Sequence, residues 1–222
     1  MTVIQKINKL INIIFGAGTL LRKFQILYCS DLFLSGRSLE LGATKNNKNF
    51  CTYIKGKVKF ELSNNFKNKK LKIFKADLTK KLNIKSNTYN NVLIFNVLEH
   101  LPNYNNVFFE INRILKKKGN LIGSTPFIYQ IHGAPKDYFR FSKDFFYYNL
   151  KKYKFRKIEI KCLGSGPFLA SYSLVYPYLR FLPIISQIFL IVCYLIDFTI
   201  QLFVKTNLAE IFPIGFIFKA KK

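Results

Sequence analysis

The sequence predicts an α/β protein: a mostly parallel sheet with helices on both faces, joined to an apolar helical cap. Three observations lead there. Short apolar runs alternate with helical stretches through the middle of the chain, the pattern that βα units produce. The run Asn91–Phe95 is almost wholly apolar, as a strand covered on both faces must be. Between it and the next apolar run lies a stretch with Val107, Phe108, Ile111, Ile114 and Leu115 at helical spacing.

The elements follow in order. Val3, Ile4, Ile7, Leu10, Ile11 and Ile14 fall on one face of a helix, so residues 1–37 are expected to be an amphipathic leader. The apolar run Leu10–Leu21 resembles a signal peptide only weakly, because Arg22 and Lys23 follow at once and no small-residue cleavage pattern is clear. Strands are expected at Ser38–Leu41, ending at Gly42, at Lys57–Leu62, at Leu71–Ala76, ending at Asp77, and at Asn91–Phe95. The helix over Tyr104–Lys117 is expected to have Lys116–Lys118 against its C-terminal dipole and Gly119 as its stop. Asn120–Ser124 is the next strand, and Lys157–Cys162 a further one. In such sheets ligands bind beyond the carboxyl ends of the strands. Glu40, Gly42, Glu61, Asp77 and Asn96 all fall at or near those ends.

Composition limits the function classes. The 222 residues carry 36 Lys and Arg against 11 Asp and Glu, a net charge of +25. That balance raises an anionic membrane surface as a partner, but a base-composition bias toward Lys, Asn, Ile and Phe is the stronger account of it. Nucleic acid is not expected, since neither an RNA-binding signature nor zinc-finger spacing accompanies the charge. Cys29, Cys51, Cys162 and Cys193 lie far apart with no CxxC or Cys/His pair, so neither a metal site nor a disulfide framework is expected, and reduced thiols fit a cytoplasmic protein. Both histidines of the chain, His100 and His132, fall in the window 91–148.

The segment NNVLIFNVLEHLPNYNNVFFEINRILKKKGNLIGSTPF, together with the strands before it, resembles class I S-adenosylmethionine-dependent methyltransferases over roughly Leu39–Leu150. The following IHGAPKDYFRFSKDFF is similar to a loop of a bacterial subgroup often linked to envelope-glycan pathways. The resemblance implies a Rossmann-like fold with an antiparallel terminal strand, expected at Ile211–Lys219, and S-adenosylmethionine as cofactor. It implies that Glu40 and Gly42 form the first cofactor motif and that Glu61 takes the ribose hydroxyls. Asp77 would receive the adenine amino group, with Leu78 beside it in the same cofactor-binding set, and Asn96 would lie near the methionine part. Only Gly42 stands where the family has a glycine-rich loop, and no later glycine precedes Gly56. A non-catalytic scaffold or binding subunit of the same fold is therefore the alternative to an enzyme.

Methyl transfer to a hydroxyl or amine needs a positioned nucleophile and a base. His132 is the first candidate base because its near-neutral titration suits that task; His100 is the second, and Asp137 joins the catalytic set. Tyr138 and Arg140 are candidates for binding a polar or anionic acceptor, Arg140 through its planar fork. Structural readings stand beside each. Glu40 can satisfy donors at a neighbouring helix start, Glu61 can be a solvated edge residue, and Asp77 can be a turn residue. Glu99 can bond backbone groups, His132 can pin its loop, and Asp137 can pair internally with Arg140.

The last third is apolar. Residues 167–206 are expected to be a cap or a membrane-interface insertion between the core, 38–166, and a terminal strand segment, 207–222. Leu182–Val204 is long enough to span a bilayer, with Asp197 its only charge. An interfacial cap beside a basic surface suits a small-molecule or lipid-linked glycan acceptor at the inner face of a membrane.

Overall fold

The structure is a computed structural model and describes residues 18–44, 49–64, 67, 69–70, 72–133 and 136–222. The amphipathic helix expected from Val3 to Ile14 lies outside the described residues. The chain divides into two compact units, one of residues 1–28, 126–130 and 162–216, the other of residues 29–125, 131–161 and 217–222.

The second unit holds the sheet. Its strands are β1 (Gly36–Leu41), β2 (Val58–Asn64), β3 (Ile73–Lys75), β4 (Tyr89–Phe95), β5 (Leu115–Pro126), β6 (Arg156–Leu163) and β7 (Gly215–Lys221). The order across the sheet is β3-β2-β1-β4-β5-β7-β6. Strands β3, β2, β1, β4 and β5 pair in parallel. Strand β7 runs antiparallel to β5: Lys118 and Lys222 exchange backbone contact at one end, while Gly123 meets Phe218 further along. The mostly parallel sheet with its antiparallel strand is the predicted class.

Apolar residues on the central strands make the core. Leu39, Val92, Leu93, Leu121 and Ile122 are fully buried. A helix over Tyr104–Ile114 starts at Asn103, whose side chain accepts from the Asn106 N–H, and it buries Val107, Phe108, Ile111 and Ile114. Each such burial contributes about 2 kcal/mol. This helix ends three residues earlier than expected. Leu115 is already extended and pairs with Tyr89 of β4, while the Lys118 N–H donates to the Lys222 carbonyl. The three lysines therefore begin β5 rather than close the helix: the ladders on either side outcompete one more helical turn. A second helix, Lys143–Lys152, is capped by Ser142, which accepts from the Phe145 N–H. Phe146 packs fully buried on it and stacks on Phe218 at 4.6 Å.

In the first unit, helices cover Leu20–Ser30 (its last two residues in the sheet unit), Pro167–Leu179, Pro183–Phe203 and Leu208–Ile211. They are α1, α4, α5 and α6 in chain order, the two helices of the sheet unit being α2 and α3. Asp197, the charge inside the apolar stretch, is fully buried and accepts from the Phe168 and Leu169 N–H groups and from the Ser165 hydroxyl. It caps the start of α4, so the carboxylate fastens two helices together. Tyr172 and Ser186 join the same helices at 2.9 Å. Helix α5 is long and apolar enough to cross a membrane, and Ile184, Leu195, Phe198 and Leu202 on it are more than half exposed.

Candidate functional site

Parallel pairing brings the carboxyl ends of β1 to β4 to one edge, and a cleft of about 490 Å³ opens there. The size falls within the range of small-ligand sites. Gly42 and Ala43 leave β1, and both N–H groups donate to the Ser63 carbonyl at the end of β2. Gly42 has φ +79°, and a β-carbon there would stand 2.1 Å from Val97 Cγ2. The turn is possible only for a residue without a side chain. Asn64, the last residue of β2, donates its amide to the Ala43 carbonyl. Asp77 follows β3, with one oxygen accepting from the Thr79 N–H and hydroxyl; these bonds hold its carboxyl below the usual range. Leu78 lines the cleft beside it. Asn96 sits in the left-handed region at φ +53°, bonded through its N–H to the Ser124 carbonyl. Such conformations persist where surrounding structure enforces them.

Two expected cofactor residues are elsewhere. Glu40 is buried, and its two oxygens accept from the Phe50 and Cys51 N–H groups, which caps a short 3-10 helix at Phe50–Tyr53. These bonds order the chain around Phe50. Glu61 is opposite Leu39 in the ladder, three residues before the end of β2. It pairs with Arg37 at 2.6 Å and accepts from the Tyr89 hydroxyl at 2.7 Å, lining a separate cavity. The strand continues further than its apolar residues suggest, so Ser63 and Asn64 occupy the edge in its place.

The other wall of the cleft comes from the loop after β5. The Tyr138 and Phe139 N–H groups donate to the Glu99 carbonyl, and His100 Nδ1 lies 2.7 Å from the Lys136 carbonyl. His100, Lys136 and Tyr138 thereby face the cleft together. Asp137 is the hub of the loop. Arg140 grips it through both terminal nitrogens at 2.5 and 2.6 Å, the His132 N–H donates to it at 3.0 Å, and His132 Nδ1 stands 3.3 Å away. The Arg140 guanidinium holds the Asp137 carboxyl down at about 2. Arg140 therefore acts as the clamp on Asp137 rather than as a hand extended to the acceptor.

The two histidine rings meet edge to face at 4.9 Å. Beside them Glu99 is fully buried, its carboxyl 3.8 Å from His100 Nε2. Among the described residues neither Glu99 carboxyl oxygen has a hydrogen-bond partner. Burial, with the nearby Asp137 charge adding to it, pushes the carboxyl up to about 8. Behind the loop, Tyr104, Phe139, Phe141 and Phe145 pack ring against ring, the closest pair at 4.2 Å. They are wall and core, not a stacking platform.

The fold is that of the S-adenosylmethionine-dependent methyltransferases. A family described as a methyltransferase domain matches residues 35–123. Among solved structures, the chain resembles a possible histamine N-methyltransferase from Thermotoga maritima at 13% identity and TM-score 0.57, over 99% of this chain and 96% of that one. It resembles a methyltransferase from Archaeoglobus fulgidus at 14% identity and TM-score 0.53, over 98% and 94%. Haemonchus contortus phosphoethanolamine N-methyltransferase 2, in complex with S-adenosyl-L-methionine, aligns at 13% identity and TM-score 0.56, over 97% of this chain and 57% of that one. No curated protein matches the sequence. The family match spans less than half of the chain and the solved structures show the fold; together with the bound neighbour they indicate S-adenosylmethionine as the cofactor. The cleft fits that cofactor: a cradle that a β-carbon would fill at Gly42, an acid after β3, and amides after β2 and β4. The loop 131–141 lies beyond the matched residues.

Proposed function

We propose that this chain transfers the methyl group of S-adenosylmethionine to a hydroxyl or amine of a glycan, lipid-linked sugar or related small molecule. The observation that carries the reading is the meeting of His132, Asp137 and Arg140 on a loop that also walls the cofactor cleft. In this reading Gly42, Asn64, Asp77, Leu78 and Asn96 hold the cofactor, which supplies an electrophilic methyl group on sulfur. Asp77 accepts from the adenine amino group, and Asn64, at the end of β2, takes the ribose role expected of Glu61. His132 would take the proton of the acceptor hydroxyl or amine, leaving its electron pair free for the methyl group that the cofactor would supply. Asp137 orients the ring and stabilises its protonated form, as a carboxylate beside an imidazole does. Arg140 keeps Asp137 ionised, while His100 and Tyr138 shape the acceptor side.

The exposed apolar residues of α5 and the net charge of +25 suit a lipid-carried acceptor at the anionic inner face of a membrane. The test is calorimetry with S-adenosylhomocysteine, followed by transfer of labelled methyl groups to lipid-linked glycan and soluble sugar fractions. Binding, with turnover lost in His132→Ala while the affinity is kept, is expected. No binding at millimolar ligand would leave the scaffold reading in its place.

A further inference from the structure

Glu99 is anomalous in this protein. A carboxyl group with no exposure and no hydrogen-bond partner among the described residues is costly to keep. Native proteins tolerate such a group where a positive charge or a ligand completes it. The chain's only two histidines stand beside it, His100 as its neighbour in sequence and His132 brought there by the loop after β5. One nitrogen of each ring and one Glu99 oxygen all lie within 4.8 Å of one another.

We propose that Glu99, His100 and His132 form a binding site for a divalent cation of the zinc class. Two imidazoles and one carboxylate are the donor set that zinc takes when a fourth position is left to water or substrate. In a tetrahedral site with bonds of about 2.0–2.1 Å, ligand atoms stand roughly 3.4 Å apart. The pair His100 Nε2 and Glu99 Oε1 is at 3.8 Å, so small side-chain rotations bring this edge to a coordinating distance. The surroundings match as well. Histidines that bind metals are oriented by a carbonyl or carboxylate on the other ring nitrogen. His100 Nδ1 meets the Lys136 carbonyl at 2.7 Å, and His132 Nδ1 faces Asp137 at 3.3 Å. Asp137 is in turn clamped by Arg140.

The site goes beyond the methyltransferase reading and stands without it. Where both hold, the cation and the acceptor proton compete for His132, so the base role belongs to the cation-free protein.

The test is titration of Zn²⁺ into the full chain, with calorimetry as the readout. One ion per chain is expected, with uptake lost in the His100→Ala/His132→Ala double variant. Asp137→Asn is expected to weaken binding about 10–100-fold, the usual loss when an orienting partner goes. Glu99→Gln is expected to abolish tight binding, with circular dichroism establishing that the variant is folded. Because that residue is fully buried, Co²⁺ added to the unaltered protein is the second measurement. An intense visible spectrum of a four- or five-coordinate ion, without thiolate charge-transfer bands, supports the site. Uptake equal in the double variant, a spectrum of the hexaaquo ion, or thiolate bands from the cysteines would each overturn it. Failure of S-adenosylhomocysteine to bind leaves this result untouched, so the two proposals fail separately.

Discussion

Gly42→Ala tests whether the cofactor turn depends on a single glycine. The substitution has two separable costs. The backbone is held at φ +79°, and placing an L side chain in the left-handed region costs about 1–2 kcal/mol. The new methyl would also lie 2.1 Å from Val97 Cγ2. Val97 is β-branched and stiff, and overpacking of this kind costs about 1–3 kcal/mol. Together the loss is about 2–5 kcal/mol, against a total stability of roughly 5–15 kcal/mol for an ordinary domain. Removing the obstructing methyl in Gly42→Ala/Val97→Ala should return the steric part and leave the backbone part. Urea unfolding of the four proteins in the cycle therefore gives a coupling of about 1–3 kcal/mol, with the double variant more stable than additivity allows. Affinity for S-adenosylhomocysteine, measured in parallel, should fall in the single variant, because the turn forms the cleft wall. A single variant within about 0.5 kcal/mol of the unaltered protein, or a strictly additive cycle, refutes the geometry.

Other substitutions separate the cleft from its surroundings. Glu61→Gln should leave S-adenosylhomocysteine affinity unchanged and shift stability by less than about 1 kcal/mol, since its pair with Arg37 is largely solvated; Asn64→Ala should weaken the same ligand. Arg140→Lys gives up a two-pronged grip on Asp137, so turnover should fall at unchanged cofactor affinity in stopped-time methylation assays. Glu110 is buried, pairs with Arg113 at 2.6 Å and accepts from the Leu82 N–H. The Arg113 hydrogen bond holds its carboxyl below the ordinary value. Its contribution is thus complete above the unfolded value of about 4.3 and is lost as pH falls through the lower folded value. The stability gap between the protein and Glu110→Gln, followed by urea unfolding, should close in that direction; a gap that widens on acidification contradicts the assignment.

The parallel core was legible because its strands carry unbroken apolar runs such as Val92–Phe95, and burial on two faces leaves few other sequences possible. Edges were less legible. The lysines at 116–118 followed by Gly119 have the composition of a helix end, yet they lie within β5, between Leu115 and Asn120, which pair with β4, and the Lys118 N–H donates to Lys222 from the far end of the chain. The same limit misplaced Glu61. The extra length of β2 comes from Ser63 and Asn64, whose polarity reads as a loop. Asp137 and Arg140 were readable as an internal pair because they are three residues apart. The Glu99, His100 and His132 cluster was not readable as a metal site. Local cysteine and histidine spacing excludes only ligands close in sequence, and this group is assembled by a loop crossing back over the end of β4.

That crossing explains how the site divides its tasks. The wall proposed to hold the cofactor is made largely by backbone turns at strand ends, whose geometry the sheet imposes: Gly42 beside Ser63, Asn96 beside Ser124. A wall of this kind depends on the fold more than on particular side chains, and the fold is what structures at 13–14% identity share. The wall proposed to face the acceptor is a side-chain network of His132, Asp137 and Arg140, and it reaches the sheet chiefly through the Glu99 carbonyl and His100. A network dependent on particular side chains cannot drift in the same way, because removing one member strands the others buried and unpaired. Substitutions in the loop should therefore act on acceptor chemistry and spare the cofactor, whereas those at Gly42 should do the reverse.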